Sequence, residues 1–206
     1  MVHAYHVIFG TYGFWLPNDP RGSWSDFVAS WELARFGKTT KSPDRRMAKI
    51  SEWARWRAEA EAALKFPTVV LTGRQAQEVG NGFANGVRKG QYSIWACSIL
   101  PQHVHMVIGR HSYKVEQIVN LLKGEATKQL KEQLLHPHRQ SAGSDGKLPS
   151  MWAERQWKVF FDNEEEIEGA IRYVEENPEK EGKPRQNWSF VTAFAGIDKG
   201  GWATYL

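Results

Sequence analysis

Cys97-Ser-Ile-Leu-Pro-Gln-His-Val-His-Met-Val-Ile-Gly109 is the stretch on which the reading of this chain turns. Two apolar runs, Tyr92 to Leu100 and His103 to Gly109, flank Pro101-Gln102, which predicts a β-hairpin with a tight connection. Side chains alternate across a strand, so His103 and His105 emerge together on one face while Val104, Met106 and Ile108 occupy the other. The hairpin therefore offers a divalent metal two neutral imidazoles on a rigid support. Seven histidines in 206 residues give a chance His-x-His at roughly 0.2 per chain, so the motif needs further donors before it means a site.

Ala4 to Tyr12 alternates as a first strand, closed by the turn formers of Leu16-Pro-Asn-Asp-Pro-Arg-Gly22. Residues 44 to 65 carry Met47, Ile50, Trp53, Trp56, Ala60 and Leu64 at helical spacing, and the segment from about 23 to 66 reads as a largely helical insertion. Thr72-Gly-Arg-Gln75 has the form of a capping box ahead of Ala76, Val79, Phe83 and Val87, although glycines 80, 82 and 86 weaken that helix by propensity. Lys114 to Leu135 is a strong helix with Ile118, Leu122, Ala126, Leu130 and Leu134 four apart. His136 to Pro149 reads as a flexible loop that leaves His136 and His138 in solvent, and Trp157 to Phe161 as a short strand. Asn163 caps a last helix with the stripe Ile167, Ala170, Ile171 and Val174, ended by Pro178. The order strand, helix, strand, strand, helix, strand, with one helix added, predicts an α+β fold. It is a ferredoxin-like (RRM-like) antiparallel sheet with helices packed on it, in a single domain over residues 1–206.

A content of 41% hydrophobic and 13% aromatic residues supports a packed core. The net charge of +4 and isoelectric point near 9.1 suit a polyanionic partner. The single cysteine, Cys97, excludes an intrachain disulfide and a zinc–cysteine centre and reads as a core residue. A leader pattern and a membrane-length apolar run are absent from the sequence, so a cytoplasmic location is expected.

The last helix offers the missing donors. Tyr173 and Asn177 lie one turn apart on a face offset by roughly 110° and 70° from the apolar stripe, so Tyr173 is not an obvious core residue, while Asn177 before Pro178 also reads as a helix terminator. Ile171-Arg-Tyr173-Val-Glu-Glu-Asn177-Pro-Glu-Lys-Glu-Gly182 and Leu-Pro-Gln-His103-Val-His105-Met-Val-Ile together resemble the HUH single-tyrosine transposases, in the branch called REP-associated tyrosine transposases. The likeness runs from Tyr5 to about Phe190 and includes Thr11 to Gly22, the Leu122-Lys-Gly segment and the strand at Trp157. Gln102 departs from the asparagine usual before the first histidine, and the insertion is long.

That resemblance implies the HUH endonuclease architecture, with His103, His105 and Asn177 as ligands of Mg²⁺ or Mn²⁺ and Tyr173 as nucleophile. Glu176 is the alternative third ligand. The implied activity is cleavage and transfer of single-stranded, hairpin-bearing, REP-like DNA through a 5′-phosphotyrosine, by a monomer or homodimer at the bacterial nucleoid. A non-catalytic nucleic-acid-binding module, a replication initiator or relaxase, and a hydrolytic metal nuclease are the rival expectations. Arg21, Lys123, Lys128, Arg172, Lys183 and Arg185 are the residues proposed to contact DNA phosphates, with Lys131 and Lys180 as further cations nearby.

Overall fold

The computed structural model describes residues 1–16 and 50–197. Strand β1 (Ala4–Thr11) is followed by helices α1 (Ile50–Ala62) and α2 (Gly73–Gly90), the hairpin β2 (Ile94–Ile99) and β3 (His103–Gly109), helix α3 (Val115–Glu132), strand β4 (Trp152–Phe161) and helix α4 (Glu164–Lys180). The sheet runs β2-β3-β1-β4 with every neighbour antiparallel. This is the ferredoxin-like order, and the α+β expectation holds. Arg21 and the insertion up to residue 49 lie outside the described residues.

The two sheet faces carry different layers. Val7, Phe9, Val104, Met106 and Ile108 point into the main core with Phe83 of α2 and Ile118, Leu122 and Leu130 of α3. Val107 and Ala96 point the other way, against Ala170 and Val174 of α4. The glycines that weaken α2 by propensity serve its packing. A Cβ on Gly82 would stand 2.4 Å from the Ala126 Cα of α3, and one on Gly80 would stand 2.2 Å from the Trp188 ring. Close helix approach thus outweighs a propensity cost of about 1 kcal/mol per glycine. The capping box forms as read: Gln75 N–H donates to Thr72 Oγ1 at 3.2 Å and Thr72 N–H to Gln75 Oε1 at 2.9 Å.

Four expectations are corrected. Leu134 is exposed and left-handed (φ 59°), because α3 stops at Glu132 and Leu135 N–H closes back on Leu130. Strand β4 begins at Trp152 rather than Trp157; its polar Glu154-Arg155-Gln156 run is tolerated because β4 lies at one end of the sheet order. Helix α4 continues through Pro178 to Lys180, since a proline in the last turn forfeits only one donor, and the Glu181, Gly182 and Lys183 amides close on Pro178 and Glu179 carbonyls. His136 and His138, finally, are buried at 4% and 3% exposure rather than lying in solvent. A 3₁₀ turn at Arg139–Ser141 folds their segment inward, where His138 meets the rings of Tyr12 and Phe66.

Beyond α4 the chain lies along β2, where Gln186 accepts from Ile99 N–H at 2.7 Å and donates to Ile99 carbonyl at 2.8 Å. Thr192 N–H adds a bond to Ile94 carbonyl. These contacts occupy the outer edge of β2, a surface that would otherwise invite strand pairing. Cys97 is buried and burial raises its thiol pKa, so it is the inert core residue expected. No helix among the described residues is long and apolar enough to cross a membrane.

Candidate active site

The strand register brings a group of polar side chains onto the α4 face. His105 of β3 pairs with Ile8 of β1 on one side and with Ser98 of β2 on the other, while His103 stands opposite Gly10. His103 and His105 share a face, with ring centroids 4.9 Å apart. His105 is 4% exposed and Ser98 fully buried. The His6 ring stacks on that of His105, and His6 Nε2 lies 3.1 Å from His105 Nδ1. Burial, reinforced by His103 and His6, pushes the His105 pKa far down, and burial alone lowers His6 to about 4. Both imidazoles are therefore neutral at pH 7, the form in which histidine binds metal.

Helix α4 crosses this cluster. Tyr173 is 44% exposed, and its ring centroid lies 5.8 Å from those of both His105 and His6. Two turns along, Glu181 Oε1 comes within 3.7 Å of His103 Nε2, and the Phe14 ring stacks on that of His103 with centroids 4.6 Å apart. Asn177 sits between Tyr173 and Glu181 on the same row of the helix. It is 7% exposed and its amide Nδ2 has no hydrogen-bond partner. An unsatisfied buried amide costs about 1–3 kcal/mol, a penalty that a bound ligand would relieve. The amide oxygen and nitrogen exchange places by a half-turn of the group, so the same position can present an oxygen donor.

Ser98 Oγ, opposite His105, is buried and unpartnered as well. Among the described residues, no three His, Cys, Asp or Glu side chains converge as a ready metal cluster. Asn177 belongs to another residue type, and its amide oxygen is a neutral donor of the kind that could stand beside two imidazoles around a divalent ion. Glu176 does not share the row. Its carboxylate pairs with Lys180 at 3.3 Å, and it is half exposed.

The cations expected to meet phosphate are distributed less simply. Lys123 is buried, donates to the Ala153 carbonyl at 2.9 Å and lies 5.2 Å from the Phe9 ring centroid on the main-core face. Burial lowers its pKa to about 8. A phosphate contact needs a reachable head group, so Lys123 is a structural residue rather than a DNA contact. Lys128, Arg172 and Arg185 are exposed, and each stands within 4 Å of a carboxylate: Glu132 at 3.9 Å, Glu168 at 3.8 Å and Glu179 at 3.3 Å. Lys183 is half-buried just beyond α4. Lys180, named only in passing from sequence, holds its ammonium 4.5 Å from the Tyr173 ring centroid. His6 and Ser98 are ordinary polar residues in sequence until the strand register places them beside His105, as is Glu181 until the end of α4 brings it to His103.

The sequence profile described as "Transposase IS200 like" matches residues 63–177, more than half the chain, and the match includes His103, His105, Tyr173 and Asn177. The chain belongs to the IS200-like transposase family. Among solved structures, a REP-associated tyrosine transposase bound to a REP hairpin shares 13% identity at a TM-score of 0.47, over 87% of this chain and 68% of that one. A candidate transposase from Deinococcus radiodurans shares 13% identity at a TM-score of 0.39, over 84% of this chain and 88% of its own. No curated protein sequence matches the chain.

Proposed function

We propose that this transposase-family chain is a metal-dependent single-strand DNA endonuclease and strand transferase. Tyr173 is its nucleophile, and His103, His105 and Asn177 hold Mg²⁺ or Mn²⁺. The observation that carries the proposal is a half-exposed Tyr173 ring packed against His105, one turn from a buried Asn177 with an unpaired amide. When bound, the ion supplies Lewis-acid polarisation of the scissile phosphate and neutralises charge developing in the transition state. The Tyr173 oxygen forms a bond to phosphorus as the bond to the 3′-oxygen breaks. The phenolic proton passes to solvent, the departing 3′-oxygen takes one up, and a 5′-phosphotyrosine results. Another strand's 3′-hydroxyl reverses the step and joins DNA without an external energy source, because the phosphodiester is conserved in the covalent bond. The Lys180 ammonium beside the Tyr173 ring adds positive charge where the phosphate would approach.

A hairpin-bearing, REP-like single strand is the substrate we infer, in keeping with the branch that the two sequence motifs resemble, and such a substrate puts the protein's work at the nucleoid. Arg172, Lys128, Lys183, Arg185 and Arg21 remain the proposed phosphate contacts; the first, second and fourth would exchange a carboxylate neighbour for DNA. Tyr173 meets His105 of its own chain, which favours action in cis by a monomer. The test is incubation with Mn²⁺ and end-labelled hairpin strands. A covalent protein–DNA band lost in both Tyr173→Phe and His103→Ala is expected. Cleavage that persists in Tyr173→Phe would make water the nucleophile, and tight binding without any cleavage would make the chain a binding module.

A further inference from the structure

The His6–His105 contact joins two strands through a buried pair of rings. A neutral imidazole carries one proton, on either Nδ1 or Nε2, and the nitrogen without it is the one that can bind a metal. His105 presents Nδ1 to His6 Nε2 at 3.1 Å, and both rings are more than nine-tenths buried. Between two neutral imidazoles, this contact is a hydrogen bond only if one ring donates and the other accepts. If His105 donates, its Nε2 keeps a lone pair; if His6 donates, His105 Nε2 is protonated and lost as a ligand. His6 is itself braced: its ring meets the Trp157 ring edge-on at 5.9 Å and the Tyr173 ring at 5.8 Å. Its backbone is fixed between Val107 of β3 and Val159 of β4. The acceptor is thus held on a central strand, β1, by pairing with β3 on one side and β4 on the other.

We propose that His6 is the positioning residue of the metal centre, accepting the Nδ1 proton of His105 and so leaving His105 Nε2 as the metal-binding nitrogen. It touches neither metal nor DNA in this role. The inference rests on the reading of His105 as a ligand and extends it to the strand before the insertion. Outer-shell partners of ligating histidines fix ring orientation and tautomer, and their loss costs roughly 10–100-fold in metal affinity.

The experiment pairs ¹⁵N resonance spectra of the histidine rings in metal-free protein with calorimetric Mn²⁺ titration. The parent should show His105 protonated at Nδ1. His6→Phe, which keeps the ring packing but removes the acceptor, should move His105 toward the Nε2-protonated form and weaken Mn²⁺ binding roughly 10–100-fold. His6→Gln, whose amide oxygen can accept, should recover most of that loss. A His105 already protonated at Nε2 in the parent, or a tautomer and Mn²⁺ affinity unmoved in His6→Phe, would overturn the proposal. His105→Ala separates the two layers. If it binds Mn²⁺ as tightly as the parent, the ligand reading itself fails, and this inference fails with it.

Discussion

The chain contains two His-x-His pairs, His103/His105 and His136/His138, and they differ in what surrounds them rather than in the motif. Three of the four rings are under 5% exposed, and His103 is only a little more open. The first pair lies on a strand whose neighbours and overlying helix deliver polar partners: His6, Ser98, Tyr173, Asn177 and Glu181. The second lies in a chain segment between α3 and β4. Its ring neighbours are aromatic, with Tyr12 and Phe66 each 5.7 Å from His138. Nε2 of both His136 and His138 is buried without a partner, and Lys131 adds positive charge near His136. A histidine pair becomes a candidate metal centre when the fold converges further donors on it; burial and spacing alone do not suffice.

The sharpest way to break this contrast is to remove one ring from each pair. His105→Ala should lower Mn²⁺-dependent DNA cleavage by about 10³-fold, the equivalent of several kcal/mol of transition-state stabilisation. His138→Ala, in protein that remains folded, should leave the rate within about threefold of the parent, since surrounding contacts there are apolar. Equal losses would erase the distinction. A smaller effect is expected at the third donor. Asn177→Ala should weaken Mn²⁺ binding by roughly 100-fold, whereas Glu176→Ala, which removes only an exposed pairing with Lys180, should change it less than about twofold. Reversal of those two results would move the third ligand to Glu176.

How much of this was legible in sequence depends on what kind of interaction sets each feature. The hairpin, the Thr72 capping box and the Asn163 cap are local, so alternation and side-chain chemistry were enough to read them. The Tyr173–Asn177 row followed from helical pitch alone. In sequence His6 is only a position in the first strand, because its value depends on a register linking residues 99 apart. The polar, glycine-rich composition around His136 and His138 reads as a loop in solvent, whereas Tyr12 and Phe66, distant in sequence, pack against the His138 ring. The burial of Lys123 is hidden from sequence for a related reason. A helical lysine is usually on the surface, and this one reaches the Ala153 carbonyl only once β4 is in place.

The second pair has its own, smaller consequence for stability. Burial lowers the His136 pKa to about 4 and lowers that of His138 as well. Above pH 6.5 both the folded and unfolded chains hold these rings neutral, so they add no pH dependence there. As pH falls below 6.5 the unfolded chain takes up protons that the folded chain refuses, and stability declines until about pH 4. Thermal unfolding of metal-free protein should show this decline. In His136→Asn/His138→Phe it should be shallower but still present, because His6 and His105 act in the same window. Asparagine keeps an acceptor near the His138 amide, which His136 Nδ1 receives at 3.2 Å. An unchanged slope in the double variant would show that the second pair is not held neutral by burial.

The central claim is that Tyr173 attacks DNA beside the histidine pair of β3. Its most direct measurement is mass spectrometry of trypsin-digested protein after reaction with Mn²⁺ and a hairpin-bearing single strand. Trypsin cuts after Arg172 and Lys180, so the account predicts that the peptide from Tyr173 to Lys180 carries the 5′-phosphoryl end of the cleaved strand. Cleaved DNA ending in a free 5′-phosphate, with that peptide unmodified, would contradict it.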